Sequence, residues 1–318
     1  MLLHDILKID EEDDIFLAEE SLADLIFLPV TAEILESGLY VEESIEIWED
    51  TRGDEDERGD ESRLGFALKL KDPAEFWLLL TDRYSGFRAL GAFPIRSSSK
   101  VVMVSERRFL EGLVEWLAVS LKDELFCESC PVATPPLFVP ERIDALEKFL
   151  RPLLHPGGEV LEICCGSGMA TQALKKLGFH PWTGDLDSCE ICNALKSGYL
   201  DPERAMVLDA RLMDRFFPPH HFDMVVGFMV GLIDEVNWPL WKEILLRSST
   251  LAKDLVIYTT YTEREARMVA EALTSAGWDA EVVANPDDLG IYDQWACIGR
   301  PNKRRKVNRV SDRKVGQG

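Results

Sequence analysis

The pattern that most constrains this chain begins at Pro140. From there to about residue 300, short apolar runs alternate with stretches whose apolar side chains recur at helical spacing. Ile143, Leu146, Leu150 and Leu153 predict a helical face that ends at Pro152–Gly158. Val160–Cys164 then reads as a strand, Met169–Leu177 as a helix closed by Gly178, Pro181–Leu186 as a strand and Ser188–Lys196 as a helix. Ala205–Leu208 and Phe222–Met229 are further strands, and the second is apolar almost throughout, as befits a parallel strand covered on both faces. Trp238–Leu251 predicts a helix and Leu255–Tyr258 a strand. Thr262-Glu263-Arg264-Glu265 is a capping box that opens a helix ending near Gly277. Asp279–Val283 and Trp295–Ile298 close the series. Strands that alternate with helices build βαβ units, hence an α/β fold with a parallel sheet. The last two strands lack an intervening helix, so they are expected to pair antiparallel.

Ahead of Pro140 the text differs. Residues 1–125 are expected to form a separate acidic α+β domain. Its signals are apolar runs at Phe66-Ala67-Leu68 and Phe76–Leu80, a strand at Lys100–Val104 and a helix over 107–122. The run Glu49–Glu61 holds no large apolar residue and reads as a loop. Residues 126–140 form a connector, because the four prolines of Cys130–Pro140 suit neither a helix nor a central strand. The domain that follows is assigned to 141–300, and 301–318 to a basic, disordered tail.

Charge narrows the choice of partners. The net charge is -22, and residues 1–130 hold 31 acidic and 13 basic side chains. Such a surface repels phosphate backbones, which argues against nucleic acid as a partner. The basic stretch 303–314 of the tail is the one contrary feature. No apolar run is long enough to span a bilayer, no secretory leader is evident, and seven cysteines form no dense framework. These features imply a cytoplasmic setting.

The chemistry concentrates at the turn after Val160–Cys164. Gly166 and Gly168 let the backbone approach a ligand without a Cβ in the way. The turn lies at the carboxyl end of a strand, where open α/β sheets bind ligands, and a helix N-terminus follows it. A dinucleotide site would read Gly-x-Gly-x-x-Gly/Ala; from Gly166 the chain reads Gly-Ser-Gly-Met-Ala-Thr, a loose fit. The better description is an acid near the strand end followed by spaced glycines, Glu162-Ile163-Cys164-Cys165-Gly166-Ser167-Gly168. This resembles the first motif of the class I S-adenosylmethionine-dependent methyltransferases, Glu/Asp-x-Gly-x-Gly-x-Gly, with Cys164 in the place of the first glycine. Three further landmarks follow in the family's order: Gly184-Asp185-Leu186-Asp187 after the second strand, Leu208-Asp209-Ala210 after the third, and Phe222-Asp223-Met224-Val225 opening the fourth.

The resemblance covers about residues 139–300. It implies a Rossmann-like, seven-stranded, mostly parallel methyltransferase sheet that binds S-adenosylmethionine. It implies a cofactor site of Glu162, Cys164, Gly166, Ser167, Gly168, Asp185, Leu186, Asp209, Ala210, Gly227 and Phe228. In it Asp185 accepts hydrogen bonds from the ribose hydroxyls, with Asp187 as fallback or as a helix cap. Asp209 accepts from the adenine amine beside the Ala210 N–H, and Gly227–Met229 floors the methyl-transfer pocket. The fourth strand ends in Gly-Phe-Met-Val-Gly, not Asn/Asp-Pro-Pro-Tyr/Phe, which argues against the amide- and base-amine-methylating subgroups. The expected activity is methyl transfer to an unidentified acceptor, a small molecule or a protein in preference to nucleic acid. The alternatives are a binding or regulatory protein on the same fold and, more remotely, a nicotinamide-dependent oxidoreductase. Catalytic residues are not identified. Tyr258 and Tyr261 read mainly as packing, and His220 and His221 as loop residues. No metal is expected. Of the two Cys-x-x-Cys pairs, Cys189/Cys192 reads as a core stripe, while Cys127/Cys130 beside the prolines leaves a metal or redox alternative open.

Overall fold

The structure, a computed structural model, describes residues 1–17, 41–50, 62–71, 75–81, 83, 100–123, 137–286 and 290–302. The Glu49–Glu61 loop from residue 51 on, the connector up to residue 136, Cys127/Cys130 and the tail from residue 303 lie outside these residues. The chain divides into two compact units, Met1–Leu117 and Ala118–Gly318.

In the first unit the described strands are β1 (Ile15–Leu17), β2 (Val41–Glu49), β3 (Arg63–Leu70), β4 (Phe76–Leu80) and β5 (Lys100–Val104). They form one mixed sheet in the order β1-β4-β3-β2-β5, parallel at β1–β4 and β2–β5. Helix α1 is Leu2–Leu7; helix α2 is Glu106–Asp123, and the division between the units falls within it. Ile45, Ile47, Leu64, Phe66, Leu68, Phe109 and Leu113 are buried. The expected strand at Lys100–Val104 and helix over 107–122 are present. Strands β1 and β2 and helix α1 carry no expectation above: acids hold four of the nine positions of β2, and only the Ile45–Ile47 alternation betrays it.

The second unit holds a seven-stranded sheet among the described residues. Its strands are β6 (Val160–Ile163), β7 (Trp182–Asp185), β8 (Ala205–Val207), β9 (Phe222–Gly227), β10 (Ala252–Thr260), β11 (Trp278–Ala284) and β12 (Trp295–Pro301). Their order is β11-β12-β10-β9-β6-β7-β8. Strands β6 to β10 are mutually parallel where they pair; β12 runs antiparallel to β11, as expected, and antiparallel to β10 as well. Helices α3 (Pro140–Leu150), α4 (Thr171–Lys176), α5 (Ser188–Lys196), α6 (Met213–Phe216), α7 (Trp238–Ser249) and α8 (Glu263–Ser275) fall between the strands. The Thr262–Glu265 capping box is formed in both directions at the head of α8.

Burial accounts for this layering. Ile143, Leu146 and Leu150 of α3 join Ala173 and Leu174 of α4 over Met224, Val226 and Ile257 of the sheet. A separate ring cluster of Trp182, Phe217 and Phe222 also packs on the strands, with edge contacts at centroid distances of 4.9 to 6.4 Å. Each such side chain contributes roughly 1.5–3 kcal/mol on removal from water. The chain enters the sheet at β6, builds β7 and β8 outward on one side, then returns to build β9 and β10 on the other. The gap between β6 and β9 is therefore a topological switch point, and its carboxyl end is where such sheets bind ligands.

Candidate functional site

Backbone strain marks the switch point. Cys164 follows β6 with φ 53°, and Met229 follows β9 with φ 54°. Left-handed backbone costs a non-glycine residue roughly 1–2 kcal/mol and collects where ligands are held. Cys164 stands in the place that the resembled motif gives to glycine, and its left-handed φ is a reason for glycine there.

The turn after β6 is built from backbone bonds. The Cys165 N–H donates to the Gly184 carbonyl at 3.2 Å, which ties the turn to β7. Gly166 (φ 51°) has open space where a Cβ would project, and its N–H donates to Asp185 Oδ2 at 2.8 Å. Gly168 (φ 78°) is hemmed in: a Cβ would lie 3.0 Å from Leu200 Cδ2. Helix α4 starts at Thr171, two residues beyond the expected Met169. Ser167 is half-buried between the two glycines.

Glu162 lies beneath this turn and is 1% exposed. Its Oε2 accepts from the Thr171 hydroxyl at 2.7 Å, while its Oε1 is buried and has no hydrogen-bond partner among the described residues. Burial pushes its pKa up to about 8; the Thr171 hydroxyl and the Arg142 charge oppose the rise, and the Asp185 and Asp293 carboxylates add to it. Burial and the same acidic surroundings, Asp185, Asp209 and Glu162, push the Cys164 thiol up to about 12. Three carboxylates therefore act on one small region at the carboxyl ends of β6, β7 and β8.

Asp185 ends β7 and is the acid nearest the turn. Its Oδ1 accepts the Asp187 N–H at 2.9 Å while its Oδ2 holds Gly166, so both oxygens are oriented and each keeps acceptor capacity. Asp187 instead caps α5, accepting from the N–H groups of Cys189 and Glu190. Leu186 between them is 69% exposed, and an apolar side chain left in water at a ligand-binding edge offers a surface for a planar group. Asp209 follows β8 and caps the turn Ala210–Leu212 through the Arg211 N–H at 2.9 Å. The Arg211 guanidinium also grips the Asp209 carboxylate and holds its pKa below the usual range. Ala210 is buried, and the Leu208 N–H donates to the Asp185 carbonyl at 2.9 Å, which joins the second and third turns.

Gly227 closes β9 in a crowded place. A Cβ there would lie 2.8 Å from Val230 Cγ1 and 3.1 Å from Ile163 Cγ1. The Phe228 side chain packs into the core with Ile143 and Met169, so only its backbone is available to a ligand. Tyr258 is fully buried, with its hydroxyl 2.9 Å from Ser248 Oγ, in keeping with a packing role; Tyr261 is partly exposed. His220 and His221 precede β9, at the end of the strand away from the site. His220 Nδ1 contacts the Ala252 carbonyl at 2.9 Å, and His221 packs on Phe217 and Phe222. The expected core stripe holds only at Cys192, which is buried beside Ile191, Ala194 and Leu195 and engaged in a disulfide; Cys189, one residue into α5, is an exposed thiol and not part of the core. No group of three or more His, Cys, Asp or Glu suited to a metal exists among the described residues.

One feature of the site carries no sequence signal. Arg142, in the first turn of α3, forms an ion pair with Asp293, the residue two before β12, at 2.7 Å. Both belong to the surroundings of Glu162.

No protein-family model matches the chain, and no curated protein matches it. Its neighbours among solved structures include S-adenosylmethionine-dependent methyltransferases, the family that the sequence motifs resemble. One is such a methyltransferase from Archaeoglobus fulgidus, at 15% identity and TM-score 0.37, covering 50% of this chain and 94% of the other. Another is a magnesium protoporphyrin IX methyltransferase from Synechocystis PCC 6803, solved with the cofactor bound, at 13% identity and TM-score 0.40, covering 62% and 98%. A third, the PH0226 protein from Pyrococcus horikoshii OT3, shares 20% identity at TM-score 0.38, covering 50% and 89%. No described helix is long and apolar enough to cross a membrane.

Proposed function

We propose that this protein is an enzyme that binds S-adenosylmethionine at the switch point and transfers its methyl group to an acceptor. The observation that carries the reading is the buried, unpartnered Oε1 of Glu162 beneath the glycine turn, with Asp185 and Asp209 at the ends of the next two strands. A buried carboxylate oxygen without a donor calls for a cationic or hydrogen-bonding partner, and the ammonium of an amino-acid moiety supplies one.

The residues present suit this cofactor. Glu162 would face its amino-acid end. Gly166, with open space at its missing Cβ, and Ser167 and Gly168 would line its path, and Cys164 would close the turn as a neutral thiol. Asp185, already oriented by two backbone N–H groups, would accept from a vicinal diol, and exposed Leu186 would cover the base. Asp209 and the Ala210 backbone would border the base, with Arg211 fixing the carboxylate. Gly227 and the Phe228 backbone would lie under the reacting end. When bound, the cofactor supplies a methyl carbon activated by a sulfonium, and the chain's part is to hold and align. A catalytic base is not required for such a displacement, and none is assigned.

The carboxylates at this edge also favour an uncharged or cationic acceptor over a phosphate-bearing one, which supports a small molecule or protein over nucleic acid. A cytoplasmic setting and an interaction role for the acidic region 1–125 belong to the same proposal. Calorimetry with S-adenosylhomocysteine and, separately, with NAD tests the cofactor: saturable binding of the first alone is expected. Incubation of cell extract with methyl-labelled cofactor tests the activity. Cofactor binding without protein-dependent label in any fraction would favour a binding or regulatory protein instead.

A further inference from the structure

A buried ionic ring lies on the β9–β10 side of the switch point, and the cofactor contacts proposed above do not use it. Arg142 Nε meets Asp293 Oδ2 at 2.7 Å, with both side chains under a tenth exposed. Asp293 Oδ1 accepts from Thr259 Oγ1 at 2.5 Å, and that hydroxyl oxygen accepts the Met229 N–H at 2.8 Å. The ring closes when the Asp293 N–H donates to the Met229 sulfur at 2.9 Å. Asn285 Nδ2 holds the Asp293 carbonyl at 3.0 Å, and the Arg142 guanidinium lies 4.9 Å over the Tyr292 ring.

This arrangement opposes stability. A buried ion pair forfeits hydration that an apolar pair would not, and well-packed apolar replacements are often as stable. Met229 and Asp293 both adopt left-handed backbone, φ 54° and 52°, without being glycine. The ring holds one conformation in exchange. It turns the chain directly after β9, where the Val230 N–H reaches the Thr259 carbonyl at 3.1 Å and Gly231 packs under the Trp241 ring.

We propose that Arg142 and Asp293 are positioning residues: through Thr259 they hold the Met229 turn, and the turn sets the acceptor side of the site. The proposal rests on the methyl-transfer reading. Small misplacements at a reacting centre cost rate while leaving distant binding contacts intact.

The test compares Thr259→Val, Thr259→Ser and Asp293→Asn with the unaltered full chain. Three quantities are read: amide hydrogen exchange at residues 229–233, affinity for S-adenosylhomocysteine, and kcat and KM for label transfer to the extract fraction that accepts it. Thr259→Val and Asp293→Asn should speed exchange at 229–233 about tenfold or more while β6 amides stay protected. They should hold affinity within about threefold and lower kcat roughly 100-fold without raising KM. Thr259→Ser keeps the hydroxyl and should leave all three as in the unaltered protein. Unchanged exchange in both damaging variants would overturn the proposal. So would an affinity loss as large as the loss in kcat, which would make the pair a direct ligand contact. Absence of label transfer by the unaltered protein despite cofactor binding would overturn the methyl-transfer reading and this role with it.

Discussion

Glu162 can be tested through its own proton. Its pKa is raised from 4.5 to about 8, chiefly by burial, so the folded protein holds this proton across a range in which the unfolded chain has lost it. Stability from this group is therefore present at low pH and declines as pH rises from 4.5 to about 8, the reverse of a salt-bridged carboxylate. The decline amounts to about 1.36 kcal/mol for each pH unit, or roughly 5 kcal/mol over the whole window as an upper limit. Glu162→Gln keeps the shape and an acceptor for the Thr171 hydroxyl but cannot ionise. Urea unfolding of both proteins at pH 5.5, 6.5 and 7.5 should show the variant gaining on the unaltered protein by up to roughly 3 kcal/mol across that range. Comparison at the same pH removes every group that titrates elsewhere. S-adenosylhomocysteine adds a second readout. If its ammonium ionises Glu162, binding at pH 6.5 should release about one proton, seen by calorimetry in buffers of different ionisation enthalpy. The Glu162→Gln variant should release none. A stability gap that stays constant within about 0.5 kcal/mol over the three pH values would refute the reasoning, because Glu162 would then titrate as an exposed carboxylate.

Other outcomes follow from the same turn. Asp185→Ala should weaken S-adenosylhomocysteine binding by about 1.5–3 kcal/mol in calorimetry, the loss of hydrogen bonds to a charged group. Asp187→Ala should leave affinity unchanged and lower stability by about 1 kcal/mol in urea unfolding, because it removes a helix cap. Gly168→Ala should destabilise by roughly 1–3 kcal/mol, since φ is 78° and the new Cβ meets Leu200 at 3.0 Å. Cys164→Gly should relieve the left-handed strain and raise stability by up to about 1 kcal/mol, partly offset by a freer unfolded chain, with binding retained.

The second unit was legible because its signals are local. Each strand and helix from Val160 to Ile298 has its own period and its own stop, apart from the four-residue α6, which carries no expectation above, and β11 and β12 pair antiparallel with no helix between them. The first unit was less legible. In β2 acids fill four of the nine positions, so the alternation of Ile45 and Ile47, both buried, is too short to dominate the window. Helix α1 is six residues long and below the length at which periodicity can be read.

The candidate site divides the same way. The turn after β6 and the acids after β7 and β8 sit on the ends of local elements, so spacing along the chain was enough to mark them. What spacing could not reveal is what those ends meet. Arg142 lies in a first helical turn where any basic residue would pass as solvated, and Asp293 sits 151 positions away. Their pairing exists only because the antiparallel return of β12 carries its preceding loop back over β9 and β10, beside the Met229 turn. Cys164 stands between the two cases. As a residue it was visible as a departure from a glycine motif. Its left-handed backbone and the carboxylates of Glu162, Asp185 and Asp209 around its thiol emerge only when β6, β7 and β8 are side by side. A thiol tolerated there must stay neutral, because burial above all, and then the acidic groups Asp185, Asp209 and Glu162, disfavour a thiolate. On the proposed reading Cys164 lines the site as a small uncharged surface, and Glu162 is the group whose charge a ligand would change.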